Sequence, residues 1–435
     1  MTTVRRTSSP SSTPTLAGRR VSTFAPVDTL HLWWLQDPAR PRVVGTLRLV
    51  RRAGSQPAGV ALAYAPPWLA DGMALSEDLP LVAGEFLPNE SDSAVGAVDD
   101  ARPDRWGERV IRLLDRPPRL STLEYLYFAG DERFGALGVS TSQVQYLPRT
   151  HGPLPALRDV PTLHDLVRRV EAGEPVDEPL RRLVAPGTTL GGAKPKALLT
   201  MDGAAWVIKF GESGDAIDTP LVEHATMTLA ARAGIDVCET RALRLVDGHA
   251  LAVRRFDRAR AQRVHALSAH VALRAAGQAF GYPELALLLR RRAPAETFAR
   301  HGEQLFRRMV FNILIDNTDD HEKNHALGVS GFAAGAATAA QHYHLSPAFD
   351  VLPSGQALGY QQMRVGRDGS ESTLANALSE CRAFALTPPQ AQHVVREVAS
   401  VVDGWRQHFA ACGVTKRDVA LLAEQIDRPF LLEQR

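Results

Sequence analysis

The stretch "ILIDNTDDHEKNHALGV", Ile313 to Val329, decides how the chain is read. It follows directly on the apolar run "RRMVFNILI" (Arg307–Ile315). Two adjacent aspartates, two histidines, a lysine and two asparagines then crowd one short segment. A core helix that ends on so many polar and titratable groups calls for a chemical reason. In the spacing Asp319-x-x-x-x-Asn324, one carboxylate can accept a proton from an attacking hydroxyl. The amide oxygen can share a hard cation with a second carboxylate. That second carboxylate is at hand in "HLSPAFDVLP", where Asp350 follows the predicted strand "HALGV".

Upstream, three further features line up. "GTTLGGAKPK" places Gly191 and Gly192 where backbone N–H groups can approach an anion, with Lys196 close behind. Lys209 ends the apolar strand "AWVIKF", and Glu223 stands on the next helix, within reach of it. A strand lysine fixed by a helix glutamate is the arrangement with which protein kinases touch phosphate oxygens. Lysine is also scarce, 5 residues against 45 arginines, yet Lys194, Lys196, Lys209 and Lys323 all fall in these motifs. A compact ammonium suits a phosphate as a point charge, whereas arginine is a planar fork. Two other readings stay open here. Asp319, Asp320, His321 and His325 can be a transition-metal cluster for hydrolysis. The loop can also be a polar helix cap, with Asp320 as the cap residue.

The surroundings bound these readings. A chain of 435 residues has length for two or three domains. Net charge +2 gives no chain-wide nucleic-acid footprint. Cys238, Cys381 and Cys412 lie far apart, as expected of unpaired thiols in a reducing cytoplasm. No apolar run approaches the roughly 18 residues of a membrane helix. "MTTVRRTSSPSSTPTLAGRR" lacks an apolar h-region and reads as a disordered arm rather than a secretory signal.

Periodicity predicts paired strands at Val44–Val50 and Gly59–Ala65, then a helix over "DARPDRWGERVIRLLDR" with Pro103 in its first turn. "TLEYLYFAG", "TLHDLVRRVEAGEPV" and "EPLRRLVA" read as further helices. "KALLTM" and "AWVIKF" form a hairpin on the Asp202–Gly203 turn, and "TRALRLV" and "HALAVRRFD" form another. "TPLVEHATMTLAARAGI" is a helix closed by Gly234. Helices follow at "PELALLLRRR", "EQLFRRMVFNILI", "PPQAQHVVREVASVVDGWRQHFAACG" and "TKRDVALLAEQI". The class is α+β, a strand-rich half passing to a helical half near residue 256.

Taken together, "VGTLRL", "LSEDLPL", "DARPDRWGERVI", "TTLGGAKPKALL", "IKF", "VEHATMTLAARAGI", "LAVRRFDR", "NTDDHEKNHAL" and "SPAFDVL" resemble, in this order, the HipA family of bacterial toxin kinases. The resemblance covers most of residues 40–430, and its last two motifs are the most specific. It implies a two-lobed, protein-kinase-like fold with a family-specific N-terminal subdomain. The expected division is a disordered arm at 1–25, that subdomain at 26–150, an N-lobe at 151–255 and a helical C-lobe at 256–435. The activity implied is Mg·ATP-dependent phosphorylation of Ser or Thr on proteins, aminoacyl-tRNA synthetases among the targets. The implied partner is a small helix-turn-helix antitoxin, through which DNA is met indirectly, and no membrane is involved. Carried over by motif, Asp319 is the general base with His321 near the phosphates, and Asn324 and Asp350 bind Mg²⁺. Lys209 contacts ATP, and Arg254 to Phe256 form the hinge beside the adenine. Arg254 departs from the acidic residue common there. Thr189 stands where the family autophosphorylates a loop serine, with Thr188 beside it. Two other function classes stay open: a small-molecule kinase with the same machinery, and a non-catalytic partner of a DNA-binding antitoxin.

Overall fold

The structure is a computed structural model that describes residues 24–51, 57–149, 152–177, 180, 183, 194–331 and 341–435. The first sheet holds β1 (Thr29–Trp34), β2 (Arg42–Arg51), β3 (Pro57–Tyr64), β4 (Glu85–Phe86), β5 (Ser93–Ala94) and β6 (Leu137–Ser140). Its order is β4-β3-β2-β1-β6, with β5 parallel to β3. In β2, Leu47 and Leu49 turn inward while Arg48 turns out, so the alternation read from sequence sets the buried face. The helix α1 (Arg105–Val110) begins later than expected. Asp104 takes the N-cap and accepts the Gly107 N–H at 2.8 Å, which leaves Pro103 outside the helix. Ser121 and Glu124 form the capping box of α2 (Thr122–Phe128).

The second sheet is antiparallel throughout, β7 (Lys196–Met201), β8 (Ala204–Phe210), β9 (Thr240–Arg244) and β10 (His249–Arg254) in the order β7-β8-β10-β9. Asp202 and Gly203, at φ 52° and 71°, turn β7 into β8 as the Asp–Gly pair predicted. One face, with Ala197, Leu199, Trp206, Ile208 and Phe210, packs on α3 (Val160–Glu171) and on Trp106 and Val110. The opposite face carries Leu251 and Val253 into the main core beside α4 (Thr219–Arg232).

Beyond the two-residue strands β11 (Arg258–Ala259) and β12 (Gln262–Arg263), a small sheet pairs β13 (Ala266–Ser268), β14 (Ala326–Ser330) and β15 (His342–Leu345). The principal helices here are α5 (Ala269–Ala275), α6 (Tyr282–Arg292), α7 (Ala295–Leu314), α8 (Pro388–Val402), α9 (Trp405–Ala411) and α10 (Lys416–Ile426). The single helix expected over residues 388–413 is two, α8 and α9, separated at Gly404. The outcome is the α+β, two-lobed kinase-like architecture that the sequence led us to expect. One hydrophobic core runs from Leu30 of the first sheet to Ile426 of α10. Among the described residues, no helix is long and apolar enough to cross a membrane.

Gly302 sits inside α7, where glycine costs roughly 1 kcal/mol relative to alanine. A Cβ there would run into the backbone carbonyl of Phe384. Close approach of the 381–384 turn to α7 therefore requires glycine. Gly302→Ala is expected to destabilise the fold by about 1–3 kcal/mol despite its helix propensity, as overpacked cores do. Denaturant unfolding of the two proteins measures the difference.

Candidate active site

Period-2 alternation along β8 turns Lys209 away from the face that carries Ile208 and Phe210 and toward the cleft. Its ammonium donates to Glu223 Oε1 of α4 at 2.6 Å, and also to Asp350 Oδ1. Burial alone would lower the lysine, but the two carboxylates outweigh it and hold Lys209 above its ordinary value. Burial raises Glu223, with Lys209 opposing. Burial works to raise Asp350 too, yet Lys209 wins and keeps that carboxyl below its usual range. Asp350 also adopts φ 59°, a left-handed conformation that aspartate tolerates better than most residues.

The polar loop after α7 is pinned on both sides of Asp319. Asp316, at φ 58°, pairs with Arg428 at 2.6 Å, and its carbonyl accepts the Ser354 N–H at 3.0 Å. The Thr318 and Ser354 hydroxyls meet at 2.6 Å. Asp320 is not the helix cap suggested above. It is 2 % exposed, accepts the Tyr282 hydroxyl, and bonds His325 Nε2 at 2.9 Å. Asp319 alone is left facing outward, with no hydrogen bond or ion pair to another described residue. Partial burial raises its carboxyl, Asp350 adds to that, and His321 and Lys194 oppose it. Among the described residues this is the loop carboxylate free to take a proton.

His321 caps the short turn Glu322–Asn324, its Nδ1 accepting the Lys323 N–H at 3.2 Å. Asn324 is 5 % exposed, and among the described residues its Oδ1 has no hydrogen-bond partner. A buried amide oxygen left unpaired is costly unless something else satisfies it. Chemically, an amide oxygen and the Asp350 carboxylate are the hard oxygen donors that Mg²⁺ prefers. The transition-metal reading finds less. His325 Nε2 is already committed to Asp320. The described residues hold no group of three or more His, Cys, Asp or Glu suited to a metal.

At the hinge, Arg254 is exposed and pairs with Glu239 Oε2 at 3.1 Å. The Arg254 N–H donates to the Glu239 carbonyl at 2.9 Å, and the Arg255 N–H to that of Ala205 at 3.0 Å. Phe256 stacks on Phe349, ring centroids 5.7 Å apart, so the hinge touches the residue before Asp350. Lys196, expected beside phosphate, is 1 % exposed and gives its ammonium to Asp104 Oδ2 at 2.6 Å. The charge that reaches Glu223, Asp319 and Asp350 from this segment is also that of Lys194. Its place in a lysine-poor chain was the signal for it. Tyr282 and His325 were not singled out as partners of Asp320, and nothing in their spacing announces it. Gly191, Gly192, Thr188 and Thr189 lie outside the described residues.

Comparison with known proteins places the chain by family and fold. The model of the HipA-like C-terminal domain matches residues 188–405. "Putative kinase Y4dM" of Sinorhizobium fredii (strain NBRC 101917 / NGR234) is 32% identical over 172 residues, 34% of this chain and 37% of that protein. The chain thus matches little more than a third of the length of this curated relative. Among solved structures, a chain of the complex of HipA, HipB and operator DNA from the Shewanella oneidensis MR-1 toxin–antitoxin system aligns with a TM-score of 0.62. The alignment covers 93% of this chain and 96% of that one at 16% identity, a likeness of fold. Half of its length lies within the family model, and on that ground the chain belongs to the HipA family.

Proposed function

We propose that this protein is a Mg·ATP-dependent serine/threonine protein kinase and the toxin of a type II toxin–antitoxin system. The observation that carries the reading is one cluster: Lys209 held by Glu223 and Asp350, facing a loop on which Asp319 is free and Asn324 Oδ1 unpaired. Asp319 accepts the proton of the attacking hydroxyl, and its raised carboxyl makes it a better base than an ordinary aspartate. Lys209 would bind ATP phosphate oxygens, and Asp350 would be a ligand of the metal. Glu223 keeps the ammonium in place. Asn324 and Asp350 hold Mg²⁺, which when bound neutralises charge on the phosphate oxygens. Arg254 to Phe256 line the adenine side, and His321 stands near the phosphates.

The division into an arm at 1–25, a subdomain at 26–150, an N-lobe at 151–255 and a C-lobe at 256–435 belongs to the same proposal. So do a cytoplasmic location and a protein substrate in translation, such as an aminoacyl-tRNA synthetase. The Shewanella structure contains HipB and operator DNA, which supports a small helix-turn-helix antitoxin as the partner here and DNA as an indirect one.

Asp319→Asn and Asp350→Asn keep side-chain size but lose the charge that takes a proton or neutralises a metal. Each is expected to lower phosphate transfer by about a thousandfold or more, with folding retained. Transfer from labelled ATP to a panel of proteins and metabolites measures this. Undiminished activity in either variant removes the assignment, and label only on metabolites makes the chain a small-molecule kinase. Expressed without an antitoxin, the wild-type chain is expected to arrest bacterial growth, while Asp319→Asn is not. Equal arrest by both would place the toxicity in binding rather than catalysis.

Regulation is proposed at the Gly-rich loop. Phosphate on Thr189 adds about −1.5 to −2 charges at neutral pH. Folded over ATP, that charge would face the triphosphate together with Asp319 and Asp350, so an inward loop is disfavoured. Incubation with Mg·ATP is expected to phosphorylate Thr189, with Thr188 second, and to weaken ATP binding. Mass spectrometry and nucleotide titration of the phosphoform test it; phosphate found only elsewhere overturns it.

A further inference from the structure

Two carboxylates outside the cleft, four positions apart in "DDARPDRWG", each reach a different part of the catalytic apparatus. Asp104 sits at the N-cap of α1 and accepts the Lys196 ammonium on Oδ2 at 2.6 Å. The Trp106 indole N–H, on the same helix, donates to the Lys196 carbonyl at 2.7 Å. Lys196 is therefore held at both its side chain and its backbone. It is also the direct cross-strand partner of Lys209 in the β7–β8 register. Like charges directly opposite each other on a sheet repel. Asp104 neutralises one of the pair, and Glu223 with Asp350 neutralises the other. The Gly-rich stretch that ends at Ala193 leads straight into this anchored strand.

Asp100 works on the other lobe. Its two oxygens accept the Ser268 N–H at 2.6 Å and the Ser268 hydroxyl at 2.7 Å. Ser268 is the N-cap of α5. The next residue, Ala269, donates its N–H to the His325 carbonyl at 2.8 Å. His270 Nδ1 lies 2.8 Å from Glu322 Oε1. Those two contacts flank the turn Glu322–Asn324 that carries the unpaired amide oxygen. Asp100 thus fixes the start of α5, and the start of α5 fixes the loop.

We propose that Asp100 and Asp104 are positioning residues of the catalytic centre, Asp104 for the strand pair bearing Lys209 and Asp100 for the turn bearing Asn324. This rests on the kinase reading above. Neither side chain is placed to touch substrate, and the segment 99–106 joins both lobes from outside the cleft. Losing Asp104 loosens the nucleotide-binding strands, so ATP affinity falls. Losing Asp100 loosens the turn beside Asp319, so the chemical step slows while ATP binding is spared.

The test uses the full-length chain with Asp100→Asn and Asp104→Asn. Asp104→Asn is expected to raise KM for ATP about tenfold with kcat nearly unchanged, and Asp100→Asn to lower kcat about tenfold with KM nearly unchanged. Hydrogen exchange of the nucleotide-free proteins gives a readout independent of activity. Exchange is expected to quicken in 196–210 for Asp104→Asn and in 322–326 for Asp100→Asn, each without change in the other segment. If Asp104→Asn fails to fold once Lys196 loses that carboxylate, Asp104→Glu, which keeps the charge but moves it by one methylene, is the milder variant and is read the same way. Folded variants with wild-type exchange in both segments overturn the proposal, as does an identical kinetic change in both. If the wild-type chain transfers no phosphate, the kinase reading fails by itself, and the exchange pattern still decides whether these aspartates hold those two segments.

Discussion

The cleft depends on one ammonium group kept out of water. Burying a lone lysine charge costs several kcal/mol, and its attraction to a partner offsets this only with good geometry. Lys209 meets the condition twice, through Glu223 from the N-lobe helix α4 and through Asp350 from the C-lobe. Removing one carboxylate would leave the ammonium a single partner, and removing both would leave it buried alone. The two lobes are consequently tied by electrostatics at the point where a nucleotide triphosphate would bring further negative charge. A bound triphosphate and its metal would compete for this same ammonium and for the Asp350 carboxylate. The ligand-free contact and the proposed catalytic arrangement therefore use the same three side chains.

Much of this was legible in the sequence because it is local. The Asp202–Gly203 turn, the alternation in "AWVIKF" and the closure of α4 at Gly234 each depend on a few neighbouring residues, and each is found where expected. Lys209 also meets Glu223 as their placement suggested, whereas its contact with Asp350 was not foreseen. The roles of adjacent aspartates were not legible in this way. Asp319 and Asp320 are chemically identical and one position apart. What separates them is Tyr282, 38 residues upstream, whose hydroxyl claims Asp320 in the interior. No periodicity carries that information. The pairing of Lys196 was hidden for the same reason: its neighbour in sequence is a glycine-rich loop, but its ammonium meets Asp104, 92 residues away.

The N-terminal module is more than an appendage to a kinase-like core. Asp257 lies fully buried at the hinge, bound by Arg255 and Arg258 and accepting the Gly135 N–H of the module at 2.9 Å. The Arg255 guanidinium in turn donates to the carbonyls of Glu132 and Arg133. His265 Nε2 lies 3.0 Å from the Leu75 carbonyl, a second bond from the C-lobe to the module. Buried ionic and backbone contacts thus join residues 255–258 to the segment 132–135 that leads into the first sheet. Such contacts are strongly destabilised when one partner is removed.

Scarcity of lysine makes sense against these contacts. Arginine serves on the surface and in the hinge network, where its planar fork can bind several acceptors at once, as Arg255 does. Lys196 and Lys209 face a different demand, standing directly opposite each other on one face of a hairpin with little room. Two guanidinium forks there would have to splay apart and find five donors' worth of acceptors each. Two compact ammonium groups can instead diverge, one toward Asp104 and one toward Glu223 and Asp350. At these two positions a point charge on a flexible stem is what the packing accommodates. At Lys209 that same form of charge suits a phosphate oxygen.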